Sequence, residues 1–375
     1  MKPTTQKRVL LISPLPPPAG GIQTWTEVVK NEIQARADIC FELVDTAVRW
    51  RHPADMRPMR RLAGGSAQAL LDVARSIQAM RRFRPDCIHL NTSASYACAK
   101  DWLILLAAKR LGIRRVIQFH VGFLPEIAKE NGRHWRLAAA NFRLADKGLV
   151  LGEATGKFLS TYLPGVDLDA IPNPVKVPDA LPSGAKSAGE NRPFEFLFLG
   201  QVQEGKGVYD LVKAAALMDK NRFRLKMIGS IQPEMRRQLL DLAGADNGRW
   251  LNLVGEMPRA KCIEALQGAD ALVLPSIGAF EAFPYVILEA MSAGVPVIST
   301  DRGAIREILA VDQGDQPGGL IVEAGNPLSL REGMEKLMAS RDWSRTLGEN
   351  GYHRARKCYD APVVVERLAK TWFPT

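Results

Sequence analysis

The chain has 375 residues, 46% of them apolar, which is enough for two hydrophobic cores and predicts two domains. Its formal net charge of +10 comes entirely from residues 1–175, which carry 25 Lys and Arg against 15 Asp and Glu, whereas residues 176–375 carry 25 of each. The five cysteines form no C-x-x-C pair and no apolar run is long enough to cross a bilayer, so we expect reduced thiols in a cytoplasmic protein without a structural zinc site.

The basic excess of the first half has two interpretations. Basic residues are densest at positions 49–61, 81–84 and 109–115. One interpretation is ordinary solvated surface, and the other is an anionic partner such as a membrane face, a diphosphate-linked acceptor or nucleic acid. We expect no nucleic-acid partner, because aromatic residues make up only 7% of the chain and no recognition-helix motif is present.

The first half alternates predicted strands and helices, which is typical of a parallel sheet covered by helices. A strand at Lys7–Ser13 precedes P-P-P-A-G-G and a helix from Ile22. Glycines at 20 and 21 let main-chain N–H groups at the helix start approach an anion, although a plain turn explains them equally well. The other strands are predicted at 41–45, 86–91, 116–119 and 147–151, and the other helices at 68–83, 96–111 and 133–144.

The predicted helix 68–83 has an apolar stripe that we expect to pack on the sheet. The alternative is an interfacial helix with a basic rim. The stripe consists of Leu70, Val73, Ala74, Ile77 and Met80. Residues 50–65 before it have no clear period and are predicted to form an insertion.

His120 directly follows the predicted strand 116–119. A histidine at the carboxyl end of a strand can donate to a sugar hydroxyl or a phosphate, and we expect it to titrate near neutrality. A lone histidine is, however, more often structural.

Residues 177–192 have linker composition, rich in Pro, Gly, Ser and Ala. We therefore predict a first domain at 1–176, a second at 193–357 and a closing helix within 358–375. Strands of the second domain are predicted at 194–199, 224–228, 250–254, 271–274, 295–299 and 319–322. We interpret the D-x-D pair Asp167 and Asp169 as loop acids before the linker that bind no metal.

The stretch 271–300 is predicted to form a strand, a loop, a helix and a second strand. It carries two carboxylates, Glu281 in the loop and Glu289 on the helix. Open α/β sheets bind ligands outside the carboxyl ends of their strands, which is where Glu281 is expected. With Pro275, Ser276, Phe283, Leu288, Ala290, Met291, Gly294, Pro296 and Val297, the pair resembles the signature of family four retaining glycosyltransferases of the GT-B fold, of the bacterial cell-surface polysaccharide type.

The loop at 200–207, G-Q-V-Q-E-G-K-G, resembles two phosphate-binding loops. The hydrolase pattern G-x-x-x-x-G-K requires Ser or Thr next, and position 207 is glycine. The glycosyltransferase loop, usually G-R-x-x-x-x-K-G, is satisfied by Lys206 and Gly207 but has Gln201 in place of the usual arginine. One of the two cations expected to face the donor diphosphate is therefore missing. We expect Arg302 or a residue of the basic first domain to supply the missing positive charge.

The resemblance implies an α/β GT-B fold, with two Rossmann-like parallel-sheet domains facing across a cleft and the last helix crossing back to the first. The first domain would bind the acceptor and the second the donor. The implied catalytic residues are Glu281, His120 and Lys206, and the implied donor-binding residues are Gly20, Gly21, Gln201, Lys206, Phe283, Pro284, Tyr285 and Glu289. No cofactor or metal is implied.

The implied activity is retaining transfer of a hexosyl group from a UDP- or GDP-sugar to a saccharide acceptor. We expect a lipid-diphosphate-linked acceptor of cell-surface polysaccharide synthesis and an enzyme peripheral to the inner membrane face. Two alternatives stay open, a nucleotide-sugar epimerase of the same architecture and a non-catalytic nucleotide-sugar binding protein.

Overall fold

A computed structural model describes residues 6–18, 20–48, 58–94, 97–182, 192–278, 281–312 and 316–374. The chain divides into unit 1, Met1–Pro174 with Ala361–Thr375, and unit 2, Val175–Asp360. Each unit contains a six-stranded sheet in which the paired strands run parallel. The prediction of two parallel-sheet domains is confirmed.

The sheet of unit 1 has the strand order β2-β1-β3-β4-β5-β6. Its strands are β1 (Lys7–Ser13), β2 (Ile39–Asp45), β3 (Cys87–Thr92), β4 (Arg114–Phe119), β5 (Lys147–Val150) and β6 (Leu168–Ala170). Its helices before the second unit are α1 (Gly21–Gln34), α2 (Pro58–Phe83), α3 (Ala97–Arg110), α4 (Leu124–Glu130), α5 (Arg133–Leu144) and α6 (Glu153–Ser160). All of β3 is buried, as expected of a central strand in a parallel sheet covered by helices.

Two expectations about α2 are only partly correct. The helix begins at Pro58, so the later part of the predicted insertion is helical, while residues 49–57 lie outside the described ranges. Of the predicted stripe, Met80 lies in the core and Val73 and Ile77 pack against it, whereas Leu70 is 68% exposed and Ala74 is also exposed. The buried face also includes Asp72, whose carboxylate accepts from Gln68 at 2.7 Å and lies 4.0 Å from Lys100 of α3. Packing against α3 as well as the sheet therefore determines which face of the helix is buried.

The D-x-D pair is not confined to a loop, because Asp169 lies within β6. The Lys147 ammonium lies 2.7 Å from the Asp167 carboxylate and 4.0 Å from that of Asp169. Both acids therefore face a lysine of the neighbouring strand β5.

The sheet of unit 2 has the strand order β12-β11-β10-β7-β8-β9. Its strands are β7 (Phe194–Leu199), β8 (Phe223–Ile228), β9 (Leu251–Gly255), β10 (Ala271–Leu274), β11 (Val297–Thr300) and β12 (Gly319–Val322). Its helices are α7 (Val208–Ala216), α8 (Pro233–Ala243), α9 (Asn247–Trp250), α10 (Arg259–Gly268), α11 (Tyr285–Ser292), α12 (Ile305–Leu309), α13 (Pro327–Ala339) and α14 (Arg341–Cys358). The chain runs outward from β7 to β9 and then places β10 on the other side of β7. This reversal creates a topological switch point, the usual ligand position in open α/β sheets.

The last helix, α15 (Ala361–Trp372), belongs to unit 1. Trp372 is 1% exposed, and its indole N–H donates to Nδ1 of His89 on β3 at 2.9 Å. Arg367 donates to the carbonyl of Ala170 at 2.6 Å, and Arg114 to that of Thr371 at 3.1 Å. The helix is thus joined to the sheet of unit 1 by polar contacts at several points along its length.

Candidate functional site

Three loops meet at the carboxyl edge of the unit 2 sheet, after β7, β10 and β11. The amides of Ile277 and Gly278 both donate to the carbonyl of Gly205 at 3.0 Å. On the other side, the amide of Ala304 donates to the carbonyl of Ala282 at 3.0 Å. The loop after β10 is therefore held from both flanks at the switch point.

Two glycines make these close approaches feasible. Gly207 has φ +69° and Gly303 has φ +56°, in the left-handed region that favours glycine. A Cβ on Gly207 would lie 1.9 Å from the carbonyl oxygen of Pro275, and one on Gly303 would lie 1.8 Å from that of Glu281. The residues that precede these glycines, Lys206 and Arg302, are thereby fixed on opposite flanks of the loop that carries Glu281.

Lys206 and Glu281 form a direct ion pair between Nζ and Oε1. The same carboxylate oxygen accepts from Oγ of Ser276 at 2.8 Å. The side chain of Glu281 is 9% exposed and that of Lys206 is 24% exposed, so solvent screens the pair only partly. The structure thus brings together two of the three residues predicted to be catalytic.

Glu289 lies one helical turn after Tyr285 on α11 and forms an ion pair with Arg259 at 2.5 Å. Burial raises the pKa of Glu289, and Arg259 opposes that shift. The Tyr285 hydroxyl is buried without a hydrogen-bond partner among the described residues, and burial raises its pKa well above the ordinary value. Sequence reasoning missed Arg259, although a cation at the first position of a helix that follows a strand end was an available signal.

The remaining residues of unit 2 that were predicted to bind the sugar donor are Phe283, Pro284 and Gln201. Phe283 is 3% exposed and packs edge-on against Tyr359, with ring centroids 5.4 Å apart. Pro284 is the N-cap of α11 and has no N–H, so only its neighbours can supply main-chain donors. The uncharged side chain of Gln201 is exposed.

In unit 1, Gly20 and Gly21 form the start of α1. The backbone of Gly20 is extended, so glycine is not required there for its conformation. A Cβ on Gly21 would meet nothing within 4 Å, and the first N–H groups of an α-helix have no intrahelical acceptor. A Cβ on Gly20 would lie 2.5 Å from Oε1 of Gln23, so the open space at the helix start lies beside Gly21.

His120 belongs to a buried polar network centred on Asn91. Its Nε2 lies 2.9 Å from Oδ1 of Asn91, and Nε2 of His89 lies 3.1 Å from the same oxygen. The amide nitrogen of Asn91 donates to Oγ of Ser13 at 2.9 Å. A carbonyl oxygen can only accept, so both histidines carry their proton on Nε2 and His120 presents Nδ1 as an acceptor.

The expectation that His120 titrates near neutrality is wrong. Burial lowers its pKa to about 3, helped by the neighbouring His89, while Asn173 acts in the opposite direction. Burial likewise lowers the pKa of His89 to about 4. His120 is therefore neutral at physiological pH, and its ring proton is already used by Asn91. Sequence reasoning missed Asn91, although its position at the end of an apolar strand was a signal.

The structure places Gly20, Gly21 and His120 in unit 1 and the other predicted site residues in unit 2. Within the described ranges, no three His, Cys, Asp or Glu side chains are grouped so that they could hold a metal ion. No helix in the same ranges has the length and apolarity needed to span a bilayer.

The two six-stranded parallel sheets define a fold of the GT-B type. Residues 184–354 match the family Glycosyl transferases group 1. The match lies within unit 2, and the resemblance to glycosyltransferases predicted from the sequence is confirmed there.

Two curated relatives illustrate the match. A phosphatidyl-myo-inositol mannosyltransferase of Mycobacterium leprae is 31% identical over 214 residues, which is 56% of this chain and 54% of that protein. The capsular polysaccharide biosynthesis glycosyltransferase CapM of Staphylococcus aureus is 25% identical over 181 residues, 48% of this chain and 45% of that protein. The chain spans about half the length of these curated relatives.

Solved structures match over nearly the full chain. A sucrose-phosphate synthase of Thermosynechococcus elongatus has a TM-score of 0.73 at 19% identity and covers 98% of both chains. Anabaena Alr3699/HepE in complex with UDP has a TM-score of 0.70 at 17% identity, covering 97% of this chain and 99% of that one. At these identities the two structures establish the fold.

Proposed function

We propose that the protein is a retaining glycosyltransferase that moves a hexosyl group from a UDP- or GDP-sugar to a saccharide acceptor. The observation that carries the proposal is the Lys206–Glu281–Ser276 cluster at the switch point of a group 1 glycosyl transferase region. A lysine and main-chain donors suit a diphosphate leaving group, and a carboxylate suits the hydroxyls of a sugar. The UDP in the structure of Alr3699/HepE is consistent with such a donor.

In this proposal each residue of unit 2 has one task. Lys206 and the main-chain N–H groups around Phe283 and Tyr285 bind the donor diphosphate, which gains negative charge as it departs. Glu289 accepts hydrogen bonds from the ribose hydroxyls, and Glu281 orients the sugar. The bond from the anomeric carbon to the phosphate oxygen breaks, and the bond to the acceptor oxygen forms on the same face. The departing phosphate takes the hydroxyl proton, so no protein nucleophile and no metal are required.

In the same proposal, unit 1 binds the acceptor. Gly20 and Gly21 offer main-chain donors at an open helix start, suited to a phosphate. His120 would act as a neutral acceptor through Nδ1, receiving a hydrogen bond from a sugar hydroxyl. This role replaces the donor role expected from the sequence, because Asn91 already uses the ring proton.

We further propose that the acceptor is lipid-linked and that α2 of unit 1 docks on an anionic membrane face. Leu70 and Leu71 of α2 are 68% and 50% exposed, and Arg75, Arg81 and Arg82 of the same helix are also exposed. Apolar side chains beside arginines suit the interface of a bilayer with anionic headgroups. The M. leprae relative is named for a lipid, phosphatidyl-myo-inositol, which is consistent with this acceptor class.

The test of transfer uses UDP- and GDP-sugars in turn, with and without lipid-linked saccharides extracted from bacterial membranes. A glycosyltransferase releases nucleotide diphosphate and extends the acceptor only when both substrates are present. An epimerase would convert the donor alone, and a binding protein would leave the donor intact. Either of those results would reject the proposed transfer.

The membrane proposal is tested by flotation with vesicles containing anionic or only zwitterionic lipids, at low and high salt. We expect flotation with anionic vesicles and its loss in Leu70→Glu/Leu71→Glu. Leu328→Glu is the matched control, because Leu328 is 55% exposed in unit 2. Absence of wild-type flotation under every condition would reject membrane docking and leave the proposed transfer intact.

A further inference from the structure

The missing arginine at position 201 leaves the donor site short of one cation. Gln201 is exposed and uncharged, and the charge of Lys206 is already shared with Glu281. A diphosphate carries more than one negative charge, so a single lysine in an ion pair neutralises it incompletely. A second cation beside the same loop would correct this deficit.

Arg302 is placed to be that cation. It follows β11, whose neighbour β10 leads into the loop with Glu281, and Lys206 approaches that loop from the other side after β7. The close contact of Gly303 with the carbonyl of Glu281, and the bond from Ala304 to Ala282, fix the backbone of Arg302 against this loop.

Within the described ranges, one nitrogen of the Arg302 guanidinium is left unsatisfied. Its Nε is buried and has no hydrogen-bond partner among the described residues. The adjacent carboxylate, Asp301, contacts Arg306 instead, at 3.1 Å. An unsatisfied buried donor is costly to folding, and a charged donor more so, which favours a role for Arg302 toward a bound anion.

We propose that Arg302 provides the second cation for the donor diphosphate and compensates for Gln201. This inference rests on the proposed function, because it assumes a nucleotide-sugar donor in unit 2. It assigns the diphosphate two flanking cations, Lys206 after β7 and Arg302 after β11, on either side of Glu281.

The test compares binding of UDP, GDP and the nucleoside uridine by calorimetry. Losing a charged hydrogen bond of about 1.5–3 kcal/mol predicts that Arg302→Gln weakens diphosphate binding about ten- to a hundredfold and leaves uridine binding unchanged. Arg302→Lys, which keeps the charge, should retain part of the affinity. Arg306→Gln is the matched control, because Arg306 is four residues away, 40% exposed and paired with Asp301 and Asp312.

A rescue variant separates compensation from damage to the fold. Introducing Gln201→Arg into the Arg302→Gln protein restores the cation at the position usual in the family, and it should recover diphosphate affinity. Unchanged diphosphate binding in Arg302→Gln, or no recovery in the rescue variant, would overturn the inference while the wild-type protein still binds nucleotide. Failure of the wild-type protein to bind either UDP or GDP would instead overturn the proposed function, and this inference with it.

Discussion

Lys206 and Glu281 lie 75 residues apart in the chain, and the ammonium of one contacts the carboxylate of the other. The pairing depends on the parallel sheet, because the loops after β7 and β10 leave neighbouring strands at the same edge. Ser276 holds the same carboxylate oxygen at 2.8 Å, so the acid has a fixed orientation before any ligand binds. In the proposed function, the donor diphosphate must therefore compete with Glu281 for the lysine.

We expect Lys206→Ala to abolish transfer and to lower the free energy of unfolding, because it leaves a buried carboxylate with only the Ser276 hydroxyl. Neighbouring charged residues couple by about 1 kcal/mol, so Lys206→Ala/Glu281→Gln should be more stable than the sum of the single changes predicts. Urea unfolding measures this double-mutant cycle. Lys213→Ala, at an exposed position on α7, is the control. Strictly additive free energies would show that the ion pair does not contribute to stability.

We expect Glu281→Gln to abolish transfer while retaining or strengthening UDP or GDP binding. The substitution removes the negative charge that opposes the diphosphate and releases Lys206 to bind it. Calorimetry measures the affinity of the variant for each nucleotide, and a transfer assay on the same protein measures its activity. Weaker nucleotide binding in Glu281→Gln would mean that the carboxylate itself contacts the nucleotide.

Arg259→Gln should make nucleotide binding more sensitive to acid. Burial raises the pKa of Glu289 and Arg259 holds it down, so removing the arginine lets the carboxyl protonate at a higher pH. The ionised form accepts ribose hydrogen bonds, so the affinity ratio of variant to wild type should fall as pH is lowered between about 8 and 5. Titrations across that range measure it, with Glu289→Gln as the control lacking the titrating group. A ratio independent of pH would remove Glu289 from ribose binding.

Local patterns predicted the strands well because buried parallel strands are short, continuous apolar runs. Lys7–Ser13 and Phe194–Leu199 were predicted with their observed bounds. The roles at Glu281 and Lys206 came from the family resemblance, and the fact that parallel strands end at one edge supported the placement of Glu281. Sequence alone could therefore indicate the fold and the main loops of the candidate site.

Contacts between distant segments could not be predicted in this way. Arg259 meets Glu289 across 30 residues, and His120 meets Asn91 across 29. The exposed position of Leu70 depends on where α2 contacts α3, including the approach of Lys100 to Asp72. The protonation state of His120 follows from burial, which sequence position did not reveal.

His89, which is buried, and His120, which is partly buried, should make the stability of unit 1 sensitive to acid. Their pKa values in the folded protein, about 4 for His89 and about 3 for His120, lie below the ordinary value of 6.5. The unfolded chain therefore binds more protons below about pH 6.5, and stability that is fully present above this pH is lost as pH falls, by about 1.4 kcal/mol per pH unit for each histidine. His120→Gln should reduce this slope, and His134→Gln, at an exposed position, should not. Tryptophan fluorescence in urea at several pH values measures the slopes, and equal slopes in all three proteins would contradict the expectation.

Trp372→Ala should destabilise unit 1 by about 3–5 kcal/mol, the range for removing a large aromatic side chain from a core. Trp372 is 1% exposed, and its loss also removes the donor that fixes the tautomer of His89. Val363→Ala is the matched control on the same helix, because Val363 is 38% exposed and surface changes shift stability by only about 0.5 kcal/mol. Urea unfolding with a probe in each unit measures both variants. Equal effects of the two substitutions would show that α15 contributes little to the folded state of unit 1.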